Sequence, residues 1–388
     1  MTQWNPVWRI IVDGVTYTNL TLANVNITSG RTNIYSQPVA GYAQLSILNL
    51  DKSAIPFEIN DSVTIEIKDS TNTFVPIFGG TITDLAVTIN SIGSQGYNQR
   101  IELTALGALS KLPKSITTGV LAKDYDGNQM YELLSTLFFG QWNSVPAATT
   151  WATYNATEDW TEALNTGLGE IDRPGDYELD QRDSNSSDYY SIASLIANSG
   201  LGYLYEDPQG RIGYADSTHR SQYFSANGYV DLDARHALGA GLSTITRSAD
   251  IRNDIYINYG NNFGSQETAS SPQSIALYGY KSESINSTIH SAVDAQAVAD
   301  RYIAQRAFPL AAFQSITFPI TNPAIDNSDR DNLLGVFMGQ PLNIQNLPAQ
   351  ISNGVFEGYV EGWRWSTRFN ELFLTINLSP VAFSQVAM

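Results

Sequence analysis

A short pattern that occurs twice, once near each end of the chain, constrains the fold more than any other feature of the sequence. Each copy has an alternating apolar strand, the pattern Phe-x-Gly-x-(Ile/Val), and a further alternating strand. The first copy covers residues 60–67, 78–85 and 101–106, and the second covers residues 339–344, 356–363 and 373–376. A repeated unit sets the architecture of a chain. Two unrelated β meanders could also produce so short a match, but a duplicated β unit is the interpretation favoured here.

Length and composition fit a β-rich protein with more than one domain. The 388 residues are enough for two or three domains, and 43% of them are hydrophobic, so sizeable cores can be buried. The 21 tyrosines and 29 glycines fit strands that are joined by many turns. Two similar β units in such a chain indicate a scaffold more than an enzyme with one pocket.

The charge balance argues against nucleic-acid binding. The chain has 21 basic and 38 acidic residues, for a net charge of −17, and the basic residues form no run. Sequence-independent binding to nucleic acid needs cations that are clustered on phosphates. The acidic surface is interpreted either as a source of solubility or as a surface that repels polyanions such as DNA.

Three absences in the sequence narrow the class of protein further. Cysteine is absent, which excludes disulfides, thiolate metal sites and cysteine nucleophiles and leaves the redox compartment open. The N-terminal residues have no basic region followed by a long apolar run, so no secretory signal peptide is expected. No stretch approaches the roughly eighteen apolar residues that a membrane-spanning helix needs, so no such helix is expected.

The pattern along the chain predicts three regions. Residues 1–115 contain about six short alternating strands with turns between them, which favours a β-barrel or sandwich. Residues 116–235 form an α+β middle domain, and residues 236–388 return to β with one inserted helix. The predicted fold class is mainly β with an α+β insert, in which two similar β-barrel domains flank a small α+β domain.

Several local signals place individual elements. Helices are predicted to begin near Asp126, at Ser187 or Asp188, and after Ser291, because residues of these types cap helices. A hairpin is predicted over residues 203–214, where Asp-Pro-x-Gly forms the turn. Residues 274–280 are predicted to be a strand.

Three tryptophans lie in an irregular stretch of the middle domain, residues 141–183. Trp142, Trp151 and Trp160 are predicted either to pack this loop onto its own domain or to form an aromatic contact surface for a partner or a glycan. A long loop in a compact domain is usually functional or mobile. These three residues are the sequence's candidates for partner or glycan contact.

The search for catalytic residues yields no candidate. His219, His236 and His290 have no metal-ligand spacing; the first two are predicted to lie in polar loops and the third at a helix start. No nucleophile elbow, dinucleotide-binding fingerprint or phosphate-binding loop is present. The sequence therefore predicts no catalytic residue and no cofactor. A pair of carboxylates for glycoside hydrolysis stays open as an alternative, because such pairs come from separate strands.

Two acidic clusters are candidates for binding a hard cation. Residues 124–128 and 326–332 are rich in Asp and Asn, but neither has the twelve-residue calcium loop that ends in Glu. The first cluster is interpreted as a helix cap and the second as a solvated loop. No metal site is predicted.

Four segments together resemble the tail-tip or baseplate hub proteins of tailed bacteriophages, which are also called minor tail proteins. The segments are residues 42–51 leading into 60–65, residues 75–84, residues 192–200 followed by 207–212, and residues 358–363 with 378–380. They are spread over most of the chain, and each is a structural pattern and not a catalytic fingerprint. The resemblance therefore bears on architecture and not on chemistry.

The resemblance implies a structural role in the virion. In that family, two related β-barrel domains flank smaller domains, and three chains form a ring with six similar barrels. It implies a homotrimer that joins the tail tube or a distal tail protein to a spike or fibre protein. Genomic DNA would pass through the ring only as cargo, and an acidic wall would keep it from adhering. The protein would be made in the host bacterial cytoplasm and located at the tail tip, without membrane insertion.

Two other functions stay open at the level of the sequence. One is a binding module of a contractile-injection spike or an adhesin-like tail component. The other is a glycan-active hydrolase. No appended peptidoglycan hydrolase or long fibre domain, as in larger hub proteins, is expected from the sequence, so lytic activity does not follow from the resemblance.

Overall fold

A computed structural model describes the chain over most of its length. The described residues are 4–17, 21–34, 36–49, 56–91, 97–138, 168–237, 244–309, 312–313, 315–349, 354–368 and 371–381. Within these residues the protein is mostly β, as the composition predicts, and it contains six α-helices.

The elements follow one another in three groups along the chain. The first group contains β1 (Trp8–Val12), β2 (Val15–Tyr17), β3 (Thr21–Gly30), β4 (Tyr42–Asn49), β5 (Ser62–Lys68), β6 (Phe74–Ser91) and β7 (Tyr97–Leu106). The second contains β8 (Ile116–Thr117), β9 (Asp124–Tyr125), α1 (Asp126–Phe138), β10 (Leu168–Ile171), β11 (Glu178–Leu179), β12 (Ser187–Asp188), α2 (Tyr189–Ser199), β13 (Tyr203–Glu206), β14 (Ile212–Ala215), α3 (His219–Asn227) and β15 (Val230–Asp233). The third contains β16 (Thr244–Ile245), β17 (Asp254–Tyr259), β18 (Ser265–Ser270), α4 (Pro272–Tyr278), β19 (Ser282–Asn286), α5 (Ala292–Arg306), β20 (Ala312–Phe313), β21 (Ser315–Pro319), α6 (Asn327–Leu334), β22 (Pro341–Gln345), β23 (Phe356–Arg368) and β24 (Glu371–Pro380).

Side-chain caps fix the starts of the predicted helices. The backbone N–H of Ser191 donates to Asp188 Oδ1 at 2.8 Å at the start of α2. Ser291 caps α5 in the same way, because its Oγ accepts a hydrogen bond from Val293 N–H at 3.2 Å. An oxygen that satisfies a free N–H of the first turn stabilises the helix start. The three predicted helices and the β13–β14 hairpin are thus confirmed.

The predicted strand at residues 274–280 is wrong, since most of this segment belongs to helix α4. Pro272 occupies the first turn, where its missing N–H costs nothing. The Ser271 side chain accepts from Ser274 N–H and caps the helix. Here the cap and the proline outweigh the apolar spacing of the segment.

The predicted loop at residues 326–332 is also wrong, because it forms helix α6. Asp326 Oδ1 accepts a hydrogen bond from Asp329 N–H at 2.8 Å. Arg330 is buried on the inner side of this helix and donates to the backbone oxygen of Ile320 at 3.1 Å. The acidic cluster is therefore a helix cap and not a solvated loop.

Strands from both ends of the chain form one twelve-stranded sheet. Its order is β15-β22-β23-β3-β4-β7-β6-β5-β1-β2, with β24 paired to β23 and β21 paired to β24. This arrangement corrects the prediction of two separate closed barrels, since the sheets in the described residues are not closed. The physical reason is the length of β23. Its 13 residues let one edge pair first with β22 and then with β3, while the other edge pairs with β24.

The twice-occurring sequence pattern forms the same strand arrangement in both places. We call β3, β4, β5, β6 and β7 unit 1. Unit 2 consists of β16, β20–β21, β22, β23 and β24, where the consecutive strands β20 and β21 are counted together as the second strand. In chain order, each unit pairs its first strand with its second, the second with the fifth, the fifth with the fourth, and the fourth with the third. All of these pairs are antiparallel, so the two units have the same topology over five strands.

The register of the two units also agrees. In unit 1, Phe78 lies opposite Ile65, and in unit 2, Phe356 lies opposite Ile344. A β-bulge interrupts the fourth strand at the same distance from the phenylalanine, at Thr83 in unit 1 and between Val360 and Gly362 in unit 2. Bulges re-aim a strand at specific positions, so a shared bulge is a strong sign of a shared structure.

Hydrogen bonds beside the bulge repeat as well. Asn60 N–H donates to the Ile82 carbonyl oxygen at 2.9 Å, and Gly339 N–H donates to the Val360 carbonyl oxygen at 2.8 Å. Asn60 and Gly339 both have a left-handed backbone, with φ of 76° and 90°. A duplicated unit explains these coincidences better than chance resemblance does.

Two hydrophobic cores lie behind this arrangement. The first is formed mainly by β1–β7 and β21–β24, so residues of both units share it. The second is formed mainly by α1, α2, α5, β13, β14 and β17. Ile255 and Val298 thus pack in the same core as Met130, on the other side of the predicted boundary at residue 235. The division into 1–115, 116–235 and 236–388 stays a prediction.

Candidate functional site

The two units of the chain meet where β3 runs beside β23. Gly30 lies opposite Gly362 in this pairing. A Cβ atom at Gly30 would lie 2.4 Å from the Glu361 carbonyl oxygen, and one at Gly362 would lie 2.5 Å from the Arg31 carbonyl oxygen. Both distances are far below van der Waals contact, so glycine is required on both strands for the backbones to approach this closely.

A buried carboxylate with two arginines lies at the same junction. Arg31 Nε donates to Glu361 Oε2 at 2.7 Å, and the Arg220 guanidinium donates to both carboxylate oxygens at 2.8 and 3.0 Å. The side chains of Arg31, Arg220 and Glu361 are 2%, 4% and 1% exposed. Glu361 is the bulge residue of unit 2, and the bulge turns its side chain into the protein. One carboxylate therefore connects β3, α3 and β23.

The pKa values follow from this geometry. Burial alone would raise the pKa of Glu361, but Arg220 and Arg31 together lower it to about 2. Burial is the larger influence on Arg31 and lowers its pKa in spite of Glu361. Arginine begins from so high a pKa that Arg31 still carries its charge. The junction is thus an ion triad with one negative and two positive groups.

A cavity of about 270 Å³ lies against α3, which contributes Tyr223 to its lining. Its acidic lining residues are Glu170, Glu206 and Asp207, and its aromatic ones include Tyr205 and Tyr223. Both oxygens of Glu206 are already engaged, because they accept from Gly41 N–H at 2.8 Å and from Leu109 N–H at 2.5 Å. Burial raises the pKa of Glu206 to about 7. This carboxyl therefore connects β13 to the backbone next to β4 and β7, and its oxygens are not free to bind a ligand in the cavity.

One cluster near the cavity has the residue types of a metal site. Glu170, Asp172 and His219 each offer one ligand atom, and these atoms lie within 4.8 Å of one another. His219 Nδ1 is 2.8 Å from Asp172 Oδ2. Burial would lower the pKa of His219, but Asp172 outweighs it and raises the pKa to about 9. The direct contact between the imidazole and the Asp172 carboxylate accounts for the cluster as a buried ion pair.

The position of His219 corrects the sequence prediction. It was expected in a polar loop, but it is 8% exposed at the start of α3. Asp172 is separated from it by 47 residues, and no spacing rule connects the two. His290 does lie at the predicted helix start, where its Nδ1 is 2.5 Å from Asp180 Oδ1.

The acidic cluster at 124–128 lies at the predicted helix start: residues 124–125 form β9, and residues 126–128 form the first turn of α1, in which Asp126 is buried. Asp126 is 0% exposed, accepts from Tyr177 N–H at 2.9 Å and accepts a hydrogen bond from the Tyr214 hydroxyl. Burial raises the pKa of Asp126 to about 7. The side chain therefore fixes the start of α1 against β14.

The three predicted contact residues, Trp142, Trp151 and Trp160, lie outside the described residues. Their role in partner or glycan contact stays a prediction. Among the helices of the described residues, none has the length and apolar character needed to cross a membrane.

Comparisons with known proteins agree with this architecture. No protein-family model matches the sequence, and no curated protein matches it. Among the solved structures that match over nearly the whole chain are two tail proteins. The 43 kDa tail protein of prophage MuSo2 from Shewanella oneidensis has a TM-score of 0.59 at 10% identity, with 97% of this chain and 99% of that chain covered. A tail protein from Neisseria meningitidis MC58 has a TM-score of 0.61 at 11% identity, with 99% of both chains covered.

The chain therefore has the fold of phage tail proteins. The resemblance inferred from four short segments of the sequence is confirmed at the level of the fold. At 10% and 11% identity, the likeness carries over the architecture and not individual residue roles.

Proposed function

We propose that this protein is a structural hub of a phage tail tip or baseplate. In this proposal, copies of the chain form a ring that joins the tail tube to the distal spike or fibre and lets DNA pass. The observation that carries the proposal is the duplicated five-strand unit, with its shared register and shared bulge. A chain with two similar units can present twice as many similar faces as there are copies in the ring.

The proposed ring is a homotrimer. Three copies contain six similar units, so one face of the ring approximates sixfold symmetry while the assembly itself is threefold. Such a ring can contact a sixfold tail tube or distal tail protein on one side and a threefold spike or fibre protein on the other. The likeness to two tail proteins supports this place in the virion.

The proposed role is structural and not enzymatic. The buried polar groups described above are engaged in holding elements together, as the ion triad at Glu361 shows. The net charge of −17 supports an acidic channel wall, since like charge keeps a passing polyanion from adhering. We propose that the protein is made in the host bacterial cytoplasm and is built into the tail tip.

The mass of the protein in solution tests the ring. A trimer has three times the 42.5 kDa of one chain, or about 128 kDa. We expect light scattering coupled to gel filtration to give this mass at micromolar concentration. A mass of one chain across the accessible concentration range would contradict the proposal.

A further inference from the structure

The two units differ in one pairing, and that difference bears on how copies meet. After the bulge, residues 362–366 of β23 pair with residues 26–30 of β3, which belongs to the other unit. The equivalent residues of β6 are 84–88. In the described part of the chain, no strand pairs with residues 84–88 on the edge that carries β5. Asp84, Ala86, Val87 and Thr88 are exposed there.

The strand that would complete this edge is identified by the register of unit 2. Thr28 of β3 lies opposite Tyr42, and Thr244 of β16 lies opposite Phe313 at the equivalent position. β16 pairs only with β20 among the described strands. Its other edge corresponds to the edge of β3 that β23 covers.

This alignment brings a second arginine into the equivalent place. Three residues after Thr28 comes Arg31, which pairs with the bulge residue Glu361. Three residues after Thr244 comes Arg247, which is exposed and has an extended backbone, with φ −122° and ψ 130°. The bulge residue of unit 1 is Thr83, whose hydroxyl donates to Asp84 Oδ2 at 2.9 Å. A carboxylate therefore lies one residue from the position that corresponds to Glu361.

We infer that β16 of one copy pairs antiparallel with residues 84–86 of β6 in a neighbouring copy, which brings Arg247 next to Thr83 and near the Asp84 carboxylate. The register places Thr246 opposite Asp84, Ile245 opposite Leu85, and Thr244 opposite Ala86. The occupant of the exposed edge is thus a second copy of this chain. This inference rests on the proposed ring and names the contact that would close it.

The pairing repeats between copies what the chain already does within itself. Within one copy, the first strand of unit 1 lies on the fourth strand of unit 2. Between copies, the first strand of unit 2 would lie on the fourth strand of unit 1. Each copy then binds one neighbour through its β6 edge and the other neighbour through its β16 edge. This is the head-to-tail contact that generates rings. Strand addition to an exposed sheet edge is a common mode of protein association.

The contact between copies is expected to be looser than the one within the chain. Gly30 and Gly362 allow close approach of the backbones in the chain, but their equivalents are Thr246 and Asp84, which carry side chains. The Arg247 and Asp84 side chains are exposed, whereas Arg31 and Glu361 are buried. A contact of this kind can form after the chains have folded and can be changed without unfolding them.

Charge reversal at the two paired positions provides the first test. We expect Asp84→Arg and Arg247→Asp each to raise the concentration at which the trimer dissociates at least about tenfold, because like charges then lie close together beside the bulge. The double variant again brings opposite charges together, so its trimer should dissociate at a concentration close to that of the wild type. Reversals at Asp300 and Lys114, which are exposed on other parts of the surface, serve as matched controls and should leave it unchanged.

Cysteine pairing provides the second test, because the chain has no cysteine of its own. Directly opposed residues in antiparallel strands have Cα atoms about 4.5–5.5 Å apart, which suits a disulfide. The Asp84→Cys/Thr246→Cys variant should form covalent trimers on oxidation. The Thr88→Cys/Thr246→Cys variant is a control, since its cysteines would be about 13 Å out of register along the strand.

The outcomes separate this inference from the proposed function. The inference would be overturned if neither charge reversal changed the dissociation of the trimer and if no disulfide formed between residues 84 and 246. The proposed ring would be unaffected by that result. A wild-type protein that stays monomeric would overturn both. Equal crosslinking of the two cysteine variants would overturn the inferred register.

Discussion

At the residue scale, Glu361 is the polar group on which the junction of the two units depends. It accepts hydrogen bonds from two arginines and from the Ser379 hydroxyl at 2.5 Å. Its lowered pKa means that it contributes stability above its ordinary pKa of 4.5, and that this stability is lost as the pH falls towards 2. Neither arginine is close to Glu361 in the sequence, so the triad could not be predicted from spacing.

Removing the charge of Glu361 should destabilise the protein strongly. The Glu361→Gln variant leaves Arg31 and Arg220 buried without a counter-charge, for which a loss of about 3–5 kcal/mol is expected. This loss is measured as the difference in the free energy of unfolding in urea between the variant and the wild type. The Glu357→Gln variant is the control, because Glu357 is exposed on the same strand. A change below about 0.5 kcal/mol for Glu361→Gln, the ordinary range for surface substitutions, would contradict this assignment.

Asp126 should give the opposite pH dependence. Its pKa is raised to about 7 by burial, so the folded state binds the proton more tightly than the unfolded state does. The resulting stability is present below pH 4 and is lost as the pH rises through about 7. The Asp126→Asn variant keeps the size and removes the charge, so it should be more stable than the wild type at pH 8. Its stability should also change less with pH between pH 5 and 8. Thermal unfolding at both pH values tests this, and an unchanged pH profile would contradict it.

At the element scale, much of the secondary structure could be predicted, because alternation and capping are local properties. The helices at Asp188 and Ser291 and the β13–β14 hairpin are examples. Helix α4 could not be predicted from its apolar spacing alone, since its cap and proline decided the outcome. The metal-like cluster around His219 was missed because Asp172 and Glu170 come from another part of the chain.

The two equivalent glycines of the fourth strands provide a prediction at this scale. A Cβ at Gly80 would lie 2.4 Å from the Leu106 carbonyl oxygen, and one at Gly358 would lie 2.4 Å from the Ser379 carbonyl oxygen. Because the surroundings match, Gly80→Ala and Gly358→Ala should destabilise the protein by similar amounts, about 1–3 kcal/mol each. Gly264→Ala is the control, because its nearest contact would be an ordinary 3.4 Å. Unfolding in urea compares the three, and a cost at only one of the paired sites would argue against equivalent units.

At the scale of the whole molecule, the duplicated pattern in the sequence correctly predicted two copies of one strand arrangement. The sequence did not predict that the copies would share a sheet and a core. That joining depends on β23 meeting β3, and these strands are separated by more than 300 residues. Long-range pairing of this kind leaves no local signal. The same kind of pairing between copies would close the proposed ring.

Electron microscopy of the isolated assembly would show directly whether the two units alternate around a ring. If two equivalent units alternate around a ring of three copies, end-on images should show six similar densities with a threefold modulation. Rings of another copy number, or subunits whose two halves cannot be superposed on each other, would contradict the account.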